Sequence, residues 1–187
     1  MFSYSRIEVT DIVPDIHVKR AALDHLLSHP LVKRKQDEQP KIILYGISLG
    51  GAVALDLASR NAESILALII ENTFKSIPRM ISEIFPSQSS ARVIRFVCRE
   101  KWDNETAIAG LPPDLPLLML SGLQDEVIPA SHMKGLWTIF QQKSPTQAVW
   151  QEFPLGKHNN LCENIEYAQS IFAFLTKYVP NVVEEES

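Results

Sequence analysis

Apolar residues recur along this chain in two rhythms that alternate. Ile16, Val18, Ala22, Leu23, Leu26 and Leu27 fall at helical spacing and stop near His29-Pro30, where proline biases the preceding residue away from helix. A polar linker, Lys33 to Gln39, leads to the short run Ile42-Ile43-Leu44-Tyr45. A turn at Gly46 and a small-residue helix, Leu49 to Arg60, follow. Ile65 to Ile70 and Leu117 to Leu120 are apolar on both faces, as suits central parallel strands covered by helices on either side. A helix closes over Trp137 to Gln142 and Gln147 to Phe153 forms a last strand. In the final helix, Ile165, Ala168, Phe172, Leu175 and Val179 are expected to line the buried face. Strands alternating with helices predict an α/β fold, a mostly parallel sheet with right-handed crossovers and helices on both faces.

Residues 1–180 read as one domain, with the pattern lapsing at 72–108 into short amphipathic pieces that suggest a small helical insertion or lid. The tail Asn181 to Ser187, with three consecutive glutamates, reads as disordered. Met80, Ile81, Ile84, Phe85, Ile94, Phe96, Val97 and Trp102 serve either as core beneath the insertion or as an acyl-chain pocket. A net charge of −4 leaves no broad basic surface for nucleic acid. Two cysteines, Cys98 and Cys162, make neither a disulfide framework nor a zinc site. No apolar run long enough to span a bilayer and no secretory leader is legible, so the chain as written reads as cytoplasmic.

The candidate chemistry begins at Gly46-Ile47-Ser48-Leu49-Gly50, which fits G-x-S-x-G between an apolar strand and a helix. That context holds a serine in a strained turn above the sheet. Side chains at Gly46 or Gly50 are expected to crowd the turn, with Gly51 adding room for close packing. The N–H of Leu49 and the positive end of its helix suit the negative charge on an attacked carbonyl. A serine nucleophile needs a histidine base oriented by a carboxylate. His17, His25 and His29 precede the serine and His132 lies on the first turn of a helix, whereas His158 follows the last strand. Asp125 follows the strand Leu117 to Leu120 and is the favoured acid, with Glu126 its rival; a turn or helix-capping role is its alternative reading. The candidate triad is Ser48, Asp125 and His158, with no metal and no cofactor.

These motifs resemble the α/β-hydrolase superfamily, and within it the BEM-type hydrolases of fungi and their animal membrane-anchored relatives. The resemblance is carried by residues 45–54, by Glu71-Asn72-Thr73-Phe74 with Ser76-Ile77-Pro78, by Lys101-Trp102, by Ser121-Gly122, Asp125 and Ile128-Pro129, and by Gly156 and His158-Asn159. It implies an α/β-hydrolase fold and hydrolysis of acyl esters or thioesters without a cofactor, protein depalmitoylation having been associated with relatives. The implied partner is a small acyl ester or an acylated protein. Asn160 departs from the acidic residue that relatives carry two positions after the histidine, which puts one contact behind it in doubt. By the same resemblance Met1-Phe2-Ser3-Tyr4 is similar to the end of a fourth strand. The first three strands are then expected to be absent, and with them the loop that gives a second oxyanion donor. Membrane association is expected if an upstream anchor precedes the chain. The alternative function is a catalytically impaired fragment or interaction protein that keeps the triad residues.

Overall fold

The computed structural model describes residues 42–84 and 102–179. The helix expected over Ile16 to Leu27, the linker after it, the resemblance at Met1 to Tyr4, the acidic tail and much of the 72–108 stretch lie outside these residues, as do the side chain of Ile84, all of Phe85, Ile94, Phe96 and Val97, and Cys98.

Four parallel strands form one sheet in the order of the chain: β1 (Ile42–Ile47), β2 (Ile65–Glu71), β3 (Leu117–Gly122) and β4 (Ala148–Phe153). Consecutive neighbours joined by crossovers of one hand place every connecting helix on one face. The helices α1 (Leu49–Arg60), α3 (Asn104–Gly110) and α4 (Ser131–Gln141) accordingly share that face, while α2 (Ile77–Ile84) lies in the β2–β3 connection. Strand side chains alternate between the two sides. Leu44, Leu68, Ile70, Leu117 and Met119 pack with Val53, Leu57, Ile108, Leu136 and Phe140 of the helical layer. On the other face, Ala67, Ile69, Leu118, Leu120 and Phe153 pack with Leu161 and with Phe174 of α5 (Ile165–Tyr178).

Local chemistry sets the ends of these elements. The Asp103 carboxylate caps α3 by accepting the Thr106 N–H at 3.1 Å. At the other end of α3, the Lys143 ammonium donates to the carbonyl oxygens of Ala109, at 2.7 Å, and Leu111. Asn104 Nδ2 donates to the Phe74 carbonyl at 2.7 Å and Asn104 N–H to that of Lys75 at 2.9 Å. These bonds pin the chain leaving β2 to the start of α3. Within the 72–108 stretch, then, α3 is part of the helical layer, and α2 sends Arg79 to the Glu105 carboxylate of α3.

The buried face of α5 agrees with the expected one at Leu175 and at Val179 just past the helix, and differs from it elsewhere. Ile165 and Phe172 are 76% and 62% exposed, and Ala168 also faces outward. Tyr167, Ile171, Phe174 and Tyr178 face the sheet, with Leu175 beside them. Apolar residues surround most of this helix, so periodicity alone allows more than one stripe, and contact with Phe153 selects the true one; the rings of Tyr167 and Phe153 lie 6.1 Å apart. Phe174→Ala should therefore cost about 3–5 kcal/mol in denaturant unfolding, against less than about 0.5 kcal/mol for Phe172→Ala.

Candidate active site

β1 ends at Ile47, and Ser48 takes φ 54° and ψ −119° before α1 begins. A non-glycine residue in that region costs on the order of 1–3 kcal/mol and persists only where its surroundings fix it. Three contacts do so. The Ser48 N–H donates to the Glu71 carbonyl at 2.9 Å. The Ser48 carbonyl accepts the Thr73 hydroxyl at 2.7 Å and the Gly51 N–H at 3.1 Å. The turn is so tight that a Cβ on Gly46 would sit 2.2 Å from the Gly50 carbonyl oxygen, and one on Gly51 would sit 2.7 Å from Thr73 Cβ. Gly50 differs from the expectation: a Cβ there meets nothing within 4 Å.

Asp125 lies in the loop after β3 and His158 in the loop after β4. His158 Nδ1 and Asp125 Oδ2 are 2.8 Å apart, with side chains 8% and 1% exposed. The second carboxylate oxygen, Oδ1, accepts the N–H groups of Val127 and Ile128, each at 2.8 Å. One carboxylate oxygen thus organises its own turn while the other meets the histidine. Glu126, the rival acid, is exposed. Asn160 Oδ1 accepts the Lys157 N–H at 2.7 Å, an interaction open equally to the carboxylate oxygen that the resemblance implies at this position.

Two neighbouring residues carry roles that sequence reasoning had not assigned. Asn72, buried and at φ 42°, donates from Nδ2 to the carbonyl oxygens of Lys157 (3.0 Å) and His158 (3.1 Å) and accepts the Gly122 N–H at 2.8 Å. The buried Glu71 carboxyl accepts hydroxyls from Tyr45 and Tyr167, each at 2.7 Å. Burial raises its pKa above the usual carboxylate range, while those hydroxyls and nearby His158 pull the other way. Burial likewise raises the pKa of both tyrosines. The available signal was a polar triplet, Glu71-Asn72-Thr73, ending an otherwise apolar strand. Polar residues there are buried only if something satisfies them.

His132 belongs to a different place. It is fully buried, and its Nδ1 accepts the Lys75 N–H at 3.1 Å, so the neutral ring carries its proton on Nε2, 3.3 Å from Glu83 Oε2. Burial lowers its pKa, with Lys75 and Arg79 acting in the same sense and Glu83 and Glu105 opposing. The ring joins the β2–α2 connection to α4 and stands outside the candidate triad.

Comparison with solved structures bears on the fold alone. An alpha-beta hydrolase from Vibrio vulnificus matches with TM-score 0.63 at 19% identity, over 83% of this chain and 54% of that one, which speaks for the fold. Sequence relatives at 36–37% identity place the chain in the α/β-hydrolase superfamily. Among its sequence relatives are "Alpha/beta hydrolase domain-containing protein WAV2" of Arabidopsis thaliana, 36% identical over 90% of this chain and 56% of the relative, and "Protein bem46" of Schizosaccharomyces pombe, 37% identical over 84% and 49%. The chain thus spans about half the length of these curated relatives. No protein-family model matches it. Among the described residues no helix is long and apolar enough to cross a membrane.

Two outcomes follow from this geometry. Gly46→Ala should destabilise the fold by about 3 kcal/mol or more, since backbone rather than a flexible side chain opposes the new methyl. Gly50→Ala should change it by less than about 1 kcal/mol; urea midpoints compare the two. For His132 the unfolded chain binds a proton as pH falls below the ordinary value of 6.5, and the folded chain resists it. Stability should hold above that pH and decline below it toward the lowered folded value, with a shallower decline in His132→Asn.

Proposed function

We propose that this chain carries a serine hydrolase site that cleaves a carboxylic ester or acyl thioester through an acyl-enzyme on Ser48. The observation that carries the reading is the buried 2.8 Å contact of His158 Nδ1 with Asp125 Oδ2, on loops at the same end of the parallel sheet as the strained Ser48 turn. In this reading His158 Nε2 takes the Ser48 proton as the hydroxyl attacks the acyl carbon, and Asp125 stabilises the imidazolium that results. The carbonyl oxygen becomes an oxyanion beside the amino end of α1. There the Leu49 N–H has no acceptor within its own helix and can donate to the charge. His158 then returns the proton to the leaving alcohol or thiol. Water repeats the sequence to free the acid and restore Ser48.

The named relatives support hydrolase chemistry in general. The serine mechanism rests on the site geometry, and a thioester of an acylated protein is the narrower substrate class within it. A fluorophosphonate probe should label Ser48, and Ser48→Ala should abolish the adduct mapped by mass spectrometry. Asp125→Asn should lower turnover of a p-nitrophenyl ester by roughly 10⁴-fold with KM little changed, while Glu126→Gln should leave it within about threefold. An adduct on another serine overturns the assignment of Ser48. Absence of any adduct favours the alternative of an interaction protein that keeps the triad residues without the activity.

A further inference from the structure

We propose that Asn72 is the positioning residue for His158, its carboxamide clamping the histidine loop to the ends of β2 and β3; this rests on the serine hydrolase reading above. The side chain is 1% exposed and uses both of its ends. Its Nδ2 group spends its two N–H donors on consecutive carbonyls of the histidine loop, at 3.0 Å to Lys157 and 3.1 Å to His158 itself. Its Oδ1 accepts the Gly122 N–H at 2.8 Å, three residues before Asp125. Its own N–H donates to the Leu120 carbonyl at 3.1 Å, while the preceding carbonyl, of Glu71, takes the Ser48 N–H at 2.9 Å. One residue therefore borders all three arms of the site. These partners lie 50 and 86 residues away in sequence for its two carboxamide ends, so the bonds fix tertiary placement rather than a local turn.

The chemistry explains why asparagine stands there. Two carbonyl oxygens on one side demand a donor, and an N–H on the other demands an acceptor. A primary amide supplies both in one planar group, and asparagine also tolerates the positive φ of 42°. Aspartate keeps the shape, the tolerance of that backbone and the acceptor for Gly122, but when ionised sets a carboxylate oxygen against two carbonyls. It thus removes the clamp on the histidine loop alone.

The test compares the chain with Asn72→Asp and Asn72→Gly, the latter removing both ends while relaxing the backbone. Fluorophosphonate labelling of Ser48 should slow on the order of 100-fold in both variants, because a misplaced base loses its geometry with the nucleophile. In N72D alone, the rate relative to the parent chain should rise as pH falls, since a protonated carboxyl regains one donor for the loop. A role in stability only would lower thermal midpoints without that pH signature. The second measurement needs no activity: the ring nitrogen and proton signals of His158, assigned by NMR, should shift in N72D at neutral pH. N72D that labels at the parental rate across the pH range overturns the proposal. If the parent chain itself takes no label at Ser48, the hydrolase reading fails. The NMR arm then decides the clamp alone: unchanged His158 signals overturn it and shifted ones support it.

Discussion

The pairing of β1 with β2 carries on for one hydrogen bond beyond the strand itself. With Ile47 opposite Glu71, the next N–H, that of Ser48, meets the Glu71 carbonyl at 2.9 Å. Thr73 then bonds the other side of the same residue through its hydroxyl at 2.7 Å. Held at both its N–H and its carbonyl, Ser48 can occupy a backbone conformation that an isolated serine avoids, and α1 starts from that point with its amino end at the sheet edge. A slip of one residue in this register would turn Tyr45 and Ile47 onto the helical layer and Leu44 away from it. It would also move the serine off the Glu71 carbonyl. The two residues that fix the serine, Glu71 at the end of β2 and Thr73 just beyond it, bracket Asn72, which meets the end of β3 and the His158 loop.

Strand order extends that constraint to the rest of the site. Because four strands run parallel in chain order, every loop that leaves a strand emerges at one end of the sheet, and the loops after β1, β3 and β4 carry Ser48, Asp125 and His158. The same order makes the coverage unequal. α1, α3 and α4 share one face, whereas the other is packed by α5 over β2, β3 and β4. Tyr45 and Ile47 of β1 remain 39% and 40% exposed on it, and among the described residues β1 pairs along one edge alone. Tyr45 is held there by its hydroxyl, 2.5 Å from that of Tyr167 on α5, with the Glu71 carboxyl as their common acceptor.

What could be read from sequence follows the range of each interaction. The strand, the turn at Ser48 and the helix after it are adjacent, so the apolar run, the glycines and the small residues record them directly. The meeting of Asp125 with His158 was legible because each follows a strand, and a parallel sheet sends such positions to one end. The clamp at Asn72 had no such record. Its partners sit at the end of β3 and in the histidine loop, and the polar triplet at 71–73 signals a satisfied strand end without saying which groups satisfy it. Gly50 marks a different limit, since the pentapeptide pattern treats both glycines alike while only Gly46 faces backbone at 2.2 Å. In α5, apolar residues at 165, 171, 172, 174 and 175 satisfy several helical stripes at once, and Phe153 and Leu161 choose among them.

Asp125 shows how the fixed and adjustable parts of the site divide. Its Oδ1 is committed to Val127 and Ile128, N–H groups only two and three residues ahead, so its position is set by its own turn before any contact with histidine. The histidine loop has less of its own. Lys157 N–H finds Asn160, but the loop must still be brought against β3, where Gln124 N–H reaches the Gly156 carbonyl at 2.9 Å and a Cβ on Gly122 would strike that same oxygen at 2.6 Å. A loop that close can be shifted by small changes in its neighbours, and a carboxylate that cannot follow it would lose the 2.8 Å contact with Nδ1. The acid is therefore the reference point, and the accuracy of the pair depends on what restrains residues 156–158. In the proposed mechanism the restraint has to act on backbone, because the His158 side chain keeps its second nitrogen for the reacting proton. Donors aimed at the carbonyls of Lys157 and His158 meet that requirement, and they come from Asn72, directly after β2, the residue whose preceding carbonyl already holds the serine.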